Sequence, residues 1–328
     1  MIGNRALMRP LQVLLVALAC VAVLAPQPAM ARFDPMNPLG TNARPGIEIE
    51  VGKGDWGTAR TEDIQVVLDA VAGEFLSHVG ASGEALKIRV IPRSGSPRVR
   101  YERGANGEYV VQLTARDDRW FQYVFQFSHE LCHVLSNFDH KEMRGGKVAE
   151  GNQWFEESLC EAASIFGLKR LAEVWESNPP KRDWMGYGAI LRAYADHLEG
   201  EPHRRLSASM SFQRWFEKNQ AKLDENPYLR EKNEVVATNL LPLFERRPEL
   251  WRAVTYLNSD ERSAAKPFGA YLGDWYAACP DKALPSAIFA LFGLDPQRPG
   301  SIQGAVVARG TTSSNGGTTT INGPNGRD

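Results

Sequence analysis

Residues 117 to 137 read DDRWFQYVFQFSHELCHVLSN, and this stretch determines where the main helix and its chemistry lie. Asp117 or Asp118 can cap a helix that continues through dense apolar residues to about Asn137, so we expect the helix to be largely buried. Its second half contains an HExxH motif at residues 129 to 133. Histidines four positions apart lie about 40° apart around a helix axis and one turn apart along it, so both imidazoles can face one metal ion.

Glu130 completes the chemistry of this motif. It follows His129 directly and projects about 100° further around the helix, where it can reach water beside a metal without binding the metal itself. Zinc hydrolases hold the ion with three protein ligands and keep a fourth position open for water, whose acidity the ion raises. His129 and His133 are therefore predicted as Zn²⁺ ligands, and Glu130 is predicted as the general base.

The third ligand must come from another part of the chain. Glu157 lies 24 positions after His133 on a helix predicted near 154 to 176, and Glu161 follows one turn further along the same face. In this arrangement Glu157 coordinates the ion. Glu161 accepts the outer N–H of a liganding histidine, with His129 as its expected partner, and holds that ring in one tautomer.

The HExxH motif is followed at this distance by Trp154-Phe155-Glu156-Glu157, with Glu161 four positions later, and this layout resembles the gluzincin metallopeptidases. That group includes the thermolysin-like enzymes and a class of aminopeptidases. The resemblance covers roughly residues 108 to 165. It implies a zincin-like fold, a Zn²⁺ cofactor, Glu157 as the third ligand and Glu161 as the residue that orients a histidine. Glu156 is the adjacent alternative, but it has no acidic residue four positions on.

The same resemblance implies roles for two further parts of the chain. The strand predicted from Glu108 to Thr114 corresponds to the family's edge strand, which lies antiparallel to bound peptide. The family stabilises the oxyanion with a tyrosine or histidine that follows the third ligand, and the sequence does not rank four candidates: Tyr187, Tyr194, His197 and His203. The Gly-x-Met-Glu-Asn motif of the aminopeptidases and the acidic calcium sites of thermolysin-like enzymes are absent from the sequence. The sequence therefore does not identify the substrate.

Asp139 is a competing third ligand, six positions after His133. A histidine or aspartate at that distance is typical of the metzincins, and Met185-Gly186-Tyr187 is weakly similar to their Met-turn. However, Ser136 stands where metzincins have a glycine that lets the chain turn sharply, and serine enters left-handed backbone conformations reluctantly. We therefore favour Glu157 as the third ligand.

The N-terminus has the organisation of a bacterial secretory signal peptide. Two arginines precede an apolar stretch from Leu11 to Leu24, and Ala29-Met30-Ala31 is an AxA cleavage site. Residues 1–31 are therefore predicted to be removed, which places the exported protein in the periplasm or outside the cell with no stable membrane span. Lipidation at Cys20 and an uncleaved anchor are the alternatives.

Hydrophobic periodicity divides the remaining chain. A leader at 32–45 precedes an α+β lobe at 46–116, where one helix at 61–79 and four strands predict a small mixed sheet with a packed helix: 47–51, 86–91, 98–101 and 108–114. Residues 117–298 are predicted to form a mainly helical lobe, with helices after the HExxH helix near 154–176, 186–198, 207–222, 229–246, 261–278 and 285–292. Residues 299–328 are predicted to be a disordered tail. The fold class is therefore α+β, in one catalytic unit.

Charge and cysteine content limit the partners of the protein. The formal net charge is −1 over 328 residues without a basic cluster, which argues against nucleic acid and other polyanionic partners. Cys132, Cys160 and Cys279 follow the signal peptide, so at most one internal disulfide can form. A Cys132–Cys160 bridge is one hypothesis, and three small buried apolar residues are the other.

These features predict a zinc-dependent hydrolase, most simply a peptidase that cleaves a peptide or protein substrate with activated water and Glu130. Two alternatives remain: a zinc amidase that acts on cell-wall peptides, and a non-catalytic zinc-binding interaction module. Glu130 argues against the module, because a purely structural zinc site does not need a general base.

Overall fold

The computed structural model describes residues 46–80, 85–141, 143–144, 147–148 and 150–302. The predicted signal peptide at 1–31 and the predicted leader at 32–45 lie outside these residues, as does the predicted tail beyond residue 302. Export and processing therefore stay predictions.

A four-stranded mixed sheet forms the N-terminal part of the described chain. Its strands occur in the order β1-β2-β4-β3, and they are β1 (Ile47–Val51), β2 (Leu86–Pro92), β3 (Arg98–Val99) and β4 (Tyr109–Leu113). The strands β1, β2 and β4 are parallel, whereas β3 pairs antiparallel with β4, with Val99 opposite Val111. The predicted small mixed sheet is confirmed.

The position predicted for the edge strand is wrong. β4 lies inside the sheet between β2 and β3, and the two-residue strand β3 forms the edge instead. The β4 sequence YVVQL is almost wholly buried, which is typical of an inner strand covered on both faces. The chain turns back between β3 and β4 at Gly104 to Gly107, and among the described residues β3 pairs with β4 alone.

Helix α1 (Thr61–Val79) packs against the sheet and connects the parallel strands β1 and β2. Parallel neighbours require such a crossover. The helix agrees with its prediction, since its apolar residues recur at helical spacing and are buried: Ile64, Val67, Leu68, Val71 and Phe75.

Helix α2 (Trp120–Leu135) carries the HExxH motif and is largely buried, as predicted. The predicted caps are wrong. Arg119 precedes the first turn without a side-chain cap bond, and the Asp117 carboxylate accepts hydrogen bonds from Thr58 instead. Asp117 has a left-handed backbone with φ of 57°, which differs from the extended geometry of a capping residue.

The helices that follow α2 in the described chain are α3 (Gln153–Ser177), α4 (Tyr187–Gly200), α5 (Phe212–Glu225), α6 (Arg230–Arg246), α7 (Trp251–Val254), α8 (Phe268–Ala278) and α9 (Ala283–Phe292). Two predicted helices begin later than expected, because Ser211 caps α5 and Pro267 precedes α8. The short helix α7 was not predicted. None of the described helices combines the length and the apolar character needed to cross a membrane.

Two short antiparallel hairpins lie apart from the main sheet. One joins β5 (Met143–Arg144) to β6 (Lys147–Val148), and the other joins β7 (Leu294–Asp295) to β8 (Arg298–Ile302). The second hairpin extends into the segment predicted as a disordered tail from residue 299. Strands pair through backbone hydrogen bonds, so a segment with few apolar side chains can still form a hairpin.

Helix α3 runs through a hydrophobic core that both predicted lobes share. It packs on α2, α4 and α6, and most of its residues are buried around the whole helix, as in a central helix. Gly167 permits its close approach to α2, because a Cβ atom there would lie 2.3 Å from Ser128 Oγ. Ser128 directly precedes His129, so this contact helps to set how near α3 comes to the motif.

Candidate metal centre

The structure brings the three predicted metal ligands together where α2 faces α3. His129 Nε2 lies 3.2 Å from Glu157 Oε2, and His133 Nε2 lies 3.6 Å from Glu157 Oε1. The donor atoms of the three residues all lie within 4.8 Å of one another. Successive turns of α2 supply the histidines and α3 supplies the carboxylate, so the packing of two helices forms the group.

This donor group fits a zinc ion in chemistry and spacing. Ligand atoms about 2.1 Å from a tetrahedral zinc ion lie about 3.4 Å apart, close to both of the distances above. Two imidazoles and one carboxylate form the ligand set of hydrolytic His₂Glu zinc centres, which leave a fourth position for water. The side chains of His129 and Glu157 are 19% and 20% exposed, so solvent reaches the group.

Glu156 forms a hydrogen bond with the Nδ1 side of the His133 ring. His133 Nδ1 donates to Glu156 Oε1 at 2.7 Å, which leaves Nε2 for the metal side of the ring. Glu156 is fully buried, and its other oxygen accepts hydrogen bonds from Lys141 Nζ at 2.6 Å and Asn258 Nδ2 at 2.9 Å. The sequence offered Glu156 only as a lesser alternative to Glu157, and the structure gives it the histidine-orienting contact.

Glu161 does not make the contact predicted for it. Its Oε1 accepts a hydrogen bond from Arg204 Nη2 at 2.6 Å, in place of a bond with His129. Arg204 is 1% exposed and lies far along the chain, where no sequence pattern links it to Glu161. A buried guanidinium is costly without a carboxylate partner. Glu161 therefore pairs with Arg204 and does not contact the predicted ligand group.

Gln153 and Lys141 help to orient Glu157, the predicted third ligand, and neither was predicted from the sequence. Gln153 Nε2 donates to Glu157 Oε1 at 2.8 Å, and Gln153 Oε1 accepts from Lys141 Nζ at 2.5 Å. Lys141 thereby connects Gln153 with Glu156. Gln153 lies one turn before Glu157 on α3, a spacing that could have identified it. Lys141 lies outside the helices, where spacing carries no signal.

Glu130 is buried beside the ligand group at 3% exposure. Burial raises the pKa of its carboxyl, although the charges of His129 and His133 and a hydrogen bond from the Val99 backbone oppose this shift. The Val99 contact indicates that the Glu130 carboxyl faces the backbone of β3. A carboxylate with a raised pKa at this position is suited to accept a proton from water.

The three predicted ligand side chains have opposite charges that stabilise one another, although burial opposes each charge. Burial disfavours the charged imidazoles, yet the Glu157 carboxylate raises the pKa of both His129 and His133. Burial also opposes ionisation of Glu157, but the two histidines hold the pKa of its carboxyl well below the ordinary range. The group therefore favours positive charge at the point where both Nε2 atoms meet Glu157, and a divalent cation would replace the protons there.

Asp139, the competing ligand, is engaged elsewhere. One of its oxygens accepts a hydrogen bond from Arg103 Nε at 2.9 Å, and the other accepts from the Tyr109 hydroxyl at 3.3 Å. Met185, the residue of the weak Met-turn similarity, is 63% exposed and therefore does not lie beneath a metal centre. The arrangement of the described residues favours Glu157 as the third ligand.

The candidates for oxyanion stabilisation have other contacts. The Tyr187 hydroxyl donates to the Asp118 carbonyl at 3.1 Å, Tyr194 packs on Phe121, His197 is exposed, and His203 bonds to Glu234. Tyr228, in the loop between α5 and α6, is a further tyrosine, and its hydroxyl donates to Glu150 Oε1 at 3.2 Å. Burial raises the pKa of its hydroxyl, and the charges of Glu150 and Glu157 raise it further. No spacing in the sequence connects Tyr228 with the motif.

A second group of possible ligands is formed by Glu201, His203 and Glu234. Arg204 Nε donates to Glu201 at 3.1 Å, and Arg230 Nε donates to Glu234 at 2.8 Å. Two guanidinium groups therefore already neutralise these carboxylates. We interpret the group as an ion-pair cluster and not as a metal site.

The three cysteines of the described chain are buried free thiols. Cys132 and Cys160 come from the two ligand-bearing helices, and burial together with the neighbouring Cys132 thiol raises the pKa of Cys160. The hypothesis of a Cys132–Cys160 bridge is therefore not supported by the structure, whereas the alternative of small buried residues agrees with it.

Comparison with known proteins adds no assignment to this geometry. The chain matches no protein-family model and no curated protein. The interpretation of the His129, His133 and Glu157 group therefore depends on the contacts and distances within this chain.

Proposed function

We propose that the protein is a zinc-dependent peptidase with a zincin-like fold. One observation carries the proposal: two histidine Nε2 atoms converge on the Glu157 carboxylate, with the buried carboxyl of Glu130 beside them on the same helix. A structural zinc site would not need Glu130 at this place. The predicted signal peptide extends the proposal to an exported enzyme, acting in the periplasm or outside the cell.

His129, His133 and Glu157 would hold the ion, with Glu156 fixing the His133 tautomer and Gln153 fixing the Glu157 carboxylate. Bound zinc would supply Lewis acidity and would lower the pKa of a water molecule beside it to about 7. Glu130 takes a proton from the attacking water and then delivers it to the leaving amine nitrogen. Burial and the Val99 backbone bond keep its carboxyl in place for both transfers.

The edge strand supports a peptide as the substrate. Among the described strands β3 pairs with β4 alone, and its Val99 backbone N–H donates to Glu130. An extended peptide lying along this edge would pass beside the general base, while the Val99 N–H is donated to Glu130 and the Arg100 N–H to the Val110 carbonyl. This arrangement favours a peptidase over a non-catalytic module.

Metal replacement tests the proposal. We expect purified protein to bind one Zn²⁺, to cleave a broad peptide library, to lose cleavage after chelation and to regain it when Zn²⁺ is added. Glu157→Ala should lower zinc content strongly, whereas Asp139→Ala serves as the matched control and should retain the metal, because Asp139 contacts Arg103 and Tyr109 instead. Elemental analysis and mass spectrometry of the digests measure both results.

Two outcomes would contradict the assignment. Loss of zinc from the Asp139 variant alone would exclude Glu157 as the third ligand. Zinc-loaded protein that leaves the peptide library intact would exclude the peptidase, and cleavage of cell-wall peptides in a parallel digest would then favour the amidase alternative.

We propose Tyr228 for oxyanion stabilisation, because its side chain is 56% exposed and its hydroxyl donates to the exposed Glu150 carboxylate at 3.2 Å, a contact that it would exchange for the oxyanion. We expect Tyr228→Phe to lower kcat by about a hundredfold with little change in KM, because a donor to the developing oxyanion acts mainly in the transition state. Tyr187→Phe is the matched control, since its hydroxyl bonds to the Asp118 carbonyl. Steady-state kinetics at equal zinc content measure the effect, and an unchanged kcat for Tyr228→Phe would remove this residue from the mechanism.

A further inference from the structure

The joining segment, residues 255–267 between α7 and α8, lies against the adjoining ends of the two helices that carry the predicted ligands. Three asparagine amides attach it. Asn137, just after α2, donates from Nδ2 to two carbonyls of the segment, both at 2.8 Å. Asn152, directly before α3, donates to two others at 3.1 and 2.9 Å. Asn258 of the segment donates in return to the Ser136 carbonyl at 2.9 Å, so the segment is fixed to both helices.

Asn258 differs from the other two asparagines because its amide also contacts the metal centre. Its Nδ2 donates to Glu156 Oε2 at 2.9 Å, and its Oδ1 accepts a hydrogen bond from the Tyr271 hydroxyl at 3.0 Å. The opposite orientation of the amide would bring Oδ1 against two acceptors, the Glu156 carboxylate and the Ser136 carbonyl, so only this orientation satisfies all three contacts. Asn258 and Tyr271 are 3% and 1% exposed, which keeps water from replacing these bonds.

The Asn258 contact has a consequence for the metal ligands because Glu156 in turn orients His133. Glu156 Oε1 accepts from His133 Nδ1 at 2.7 Å, while Oε2 is shared by Asn258 and Lys141. Lysine has a long flexible stem and a compact charge, so Lys141 neutralises the carboxylate without fixing its plane. The short amide of Asn258 is held by three hydrogen bonds and can donate to Glu156 in one direction only. Asn258 therefore determines the rotation of the Glu156 carboxylate and, through it, the orientation of the His133 ring.

The backbone of Asn258 supports this role and identifies a matched control. Its φ is 55°, in the left-handed region that asparagine enters more readily than most residues. Asn137 has the same backbone geometry, with a φ of 56°, and its amide also makes two donations. Among the described residues, both Asn137 donations go to backbone carbonyls. The two positions therefore share backbone geometry and donor chemistry, and they differ in contact with Glu156.

We propose, on the basis of the proposed zinc centre, that Asn258 is a positioning residue for the metal site. It fixes the Glu156 carboxylate in the orientation that presents His133 Nε2 to the ion, and Tyr271 fixes the Asn258 amide in turn. Asn258 lies 102 positions after Glu156, so the joining segment becomes part of the metal centre only through the fold. The segment thus links the packing of the C-terminal helices to the affinity for zinc.

Matched glycine variants test this role. Glycine adopts a positive φ without strain, so Asn258→Gly and Asn137→Gly each remove amide hydrogen bonds and leave the backbone unstrained. Both variants should lower the free energy of unfolding of the metal-free protein. Only Asn258→Gly should weaken Zn²⁺ binding, by about tenfold, which is the lower end of the effect expected for groups that orient metal ligands. Competition with a zinc chelator measures the affinity. The absorption spectrum of the Co²⁺-substituted protein depends on ligand geometry and should change in this variant alone.

Tyr271→Phe is a second variant that keeps the aromatic ring and its packing. It removes the hydroxyl that orients the Asn258 amide, so the Zn²⁺ affinity should fall in the same direction but to a smaller extent. Wild-type affinity and Co²⁺ spectra in both Asn258→Gly and Tyr271→Phe would overturn the inference and leave the metal centre intact. Equal weakening in Asn137→Gly would also overturn it, because the segment would then act through stability alone. A wild type that binds no Zn²⁺ would contradict the metal centre itself and the inference with it, and none of these measurements depends on peptide cleavage.

Discussion

Glu130→Gln should lower kcat/KM for peptide hydrolysis by about three orders of magnitude while the zinc content stays at the wild-type level. Glutamine has nearly the same shape and can still accept the hydrogen bond from the Val99 backbone, so the buried position stays filled. It cannot take a proton from water, and the chemical step therefore loses its base. The zinc content should not change, because Glu130 does not belong to the donor group of His129, His133 and Glu157.

The matched control for this variant is Glu176→Gln, an exposed position on α3. It removes the same charge from the ligand-bearing part of the molecule without touching the site, so its kinetics should equal those of the wild type. Zinc analysis, thermal unfolding and peptide kinetics are compared for the two variants. Zinc-loaded Glu130→Gln with wild-type turnover would contradict the general-base role, and a loss of zinc would show instead that Glu130 supports the metal site.

The parts of the site that depend on local helix geometry could be predicted from the sequence. His129, Glu130 and His133 lie within two turns of one helix, so their relative directions follow from the helix repeat. Glu157 could be placed because a second helix with a glutamate at a recognisable distance followed the motif. The mixed sheet and α1 were also predictable, since their apolar residues recur at strand and helix spacing.

The parts that depend on how α2 crosses α3 could not be predicted. Glu156 and Glu161 differ in direction around α3, and only the packed structure shows that Glu156 reaches His133 while Arg204 takes Glu161. Lys141 and Asn258 lie outside the helices, so no periodic pattern indicated them. The order of the strands is likewise set by tertiary structure. The sequence predicted an edge strand at the position of β4, whereas β3 lies at that edge of the sheet.

The contacts of Glu156 lead to a second large effect. Glu156→Gln should destabilise the metal-free protein by about 3 kcal/mol or more and weaken zinc binding by about tenfold to hundredfold. Glu156 is fully buried and balances the charge of Lys141, which is itself only 5% exposed. Glutamine removes that charge, so the Lys141 ammonium stays buried without a counterion. Glutamine also gives His133 Nδ1–H a weaker acceptor, which loosens the ring that presents Nε2 to the metal.

Urea unfolding of metal-free protein and competition with a zinc chelator measure these two effects, with Glu176→Gln as the surface control. A Glu156→Gln/Lys141→Met double variant separates the causes. It removes both buried charges, so its free energy of unfolding should recover towards the wild type, whereas its zinc affinity should stay weakened because His133 still lacks the carboxylate. Equal destabilisation of the single and double variants would contradict the charge-pair explanation. Wild-type zinc affinity in Glu156→Gln would show that α2 alone orients His133.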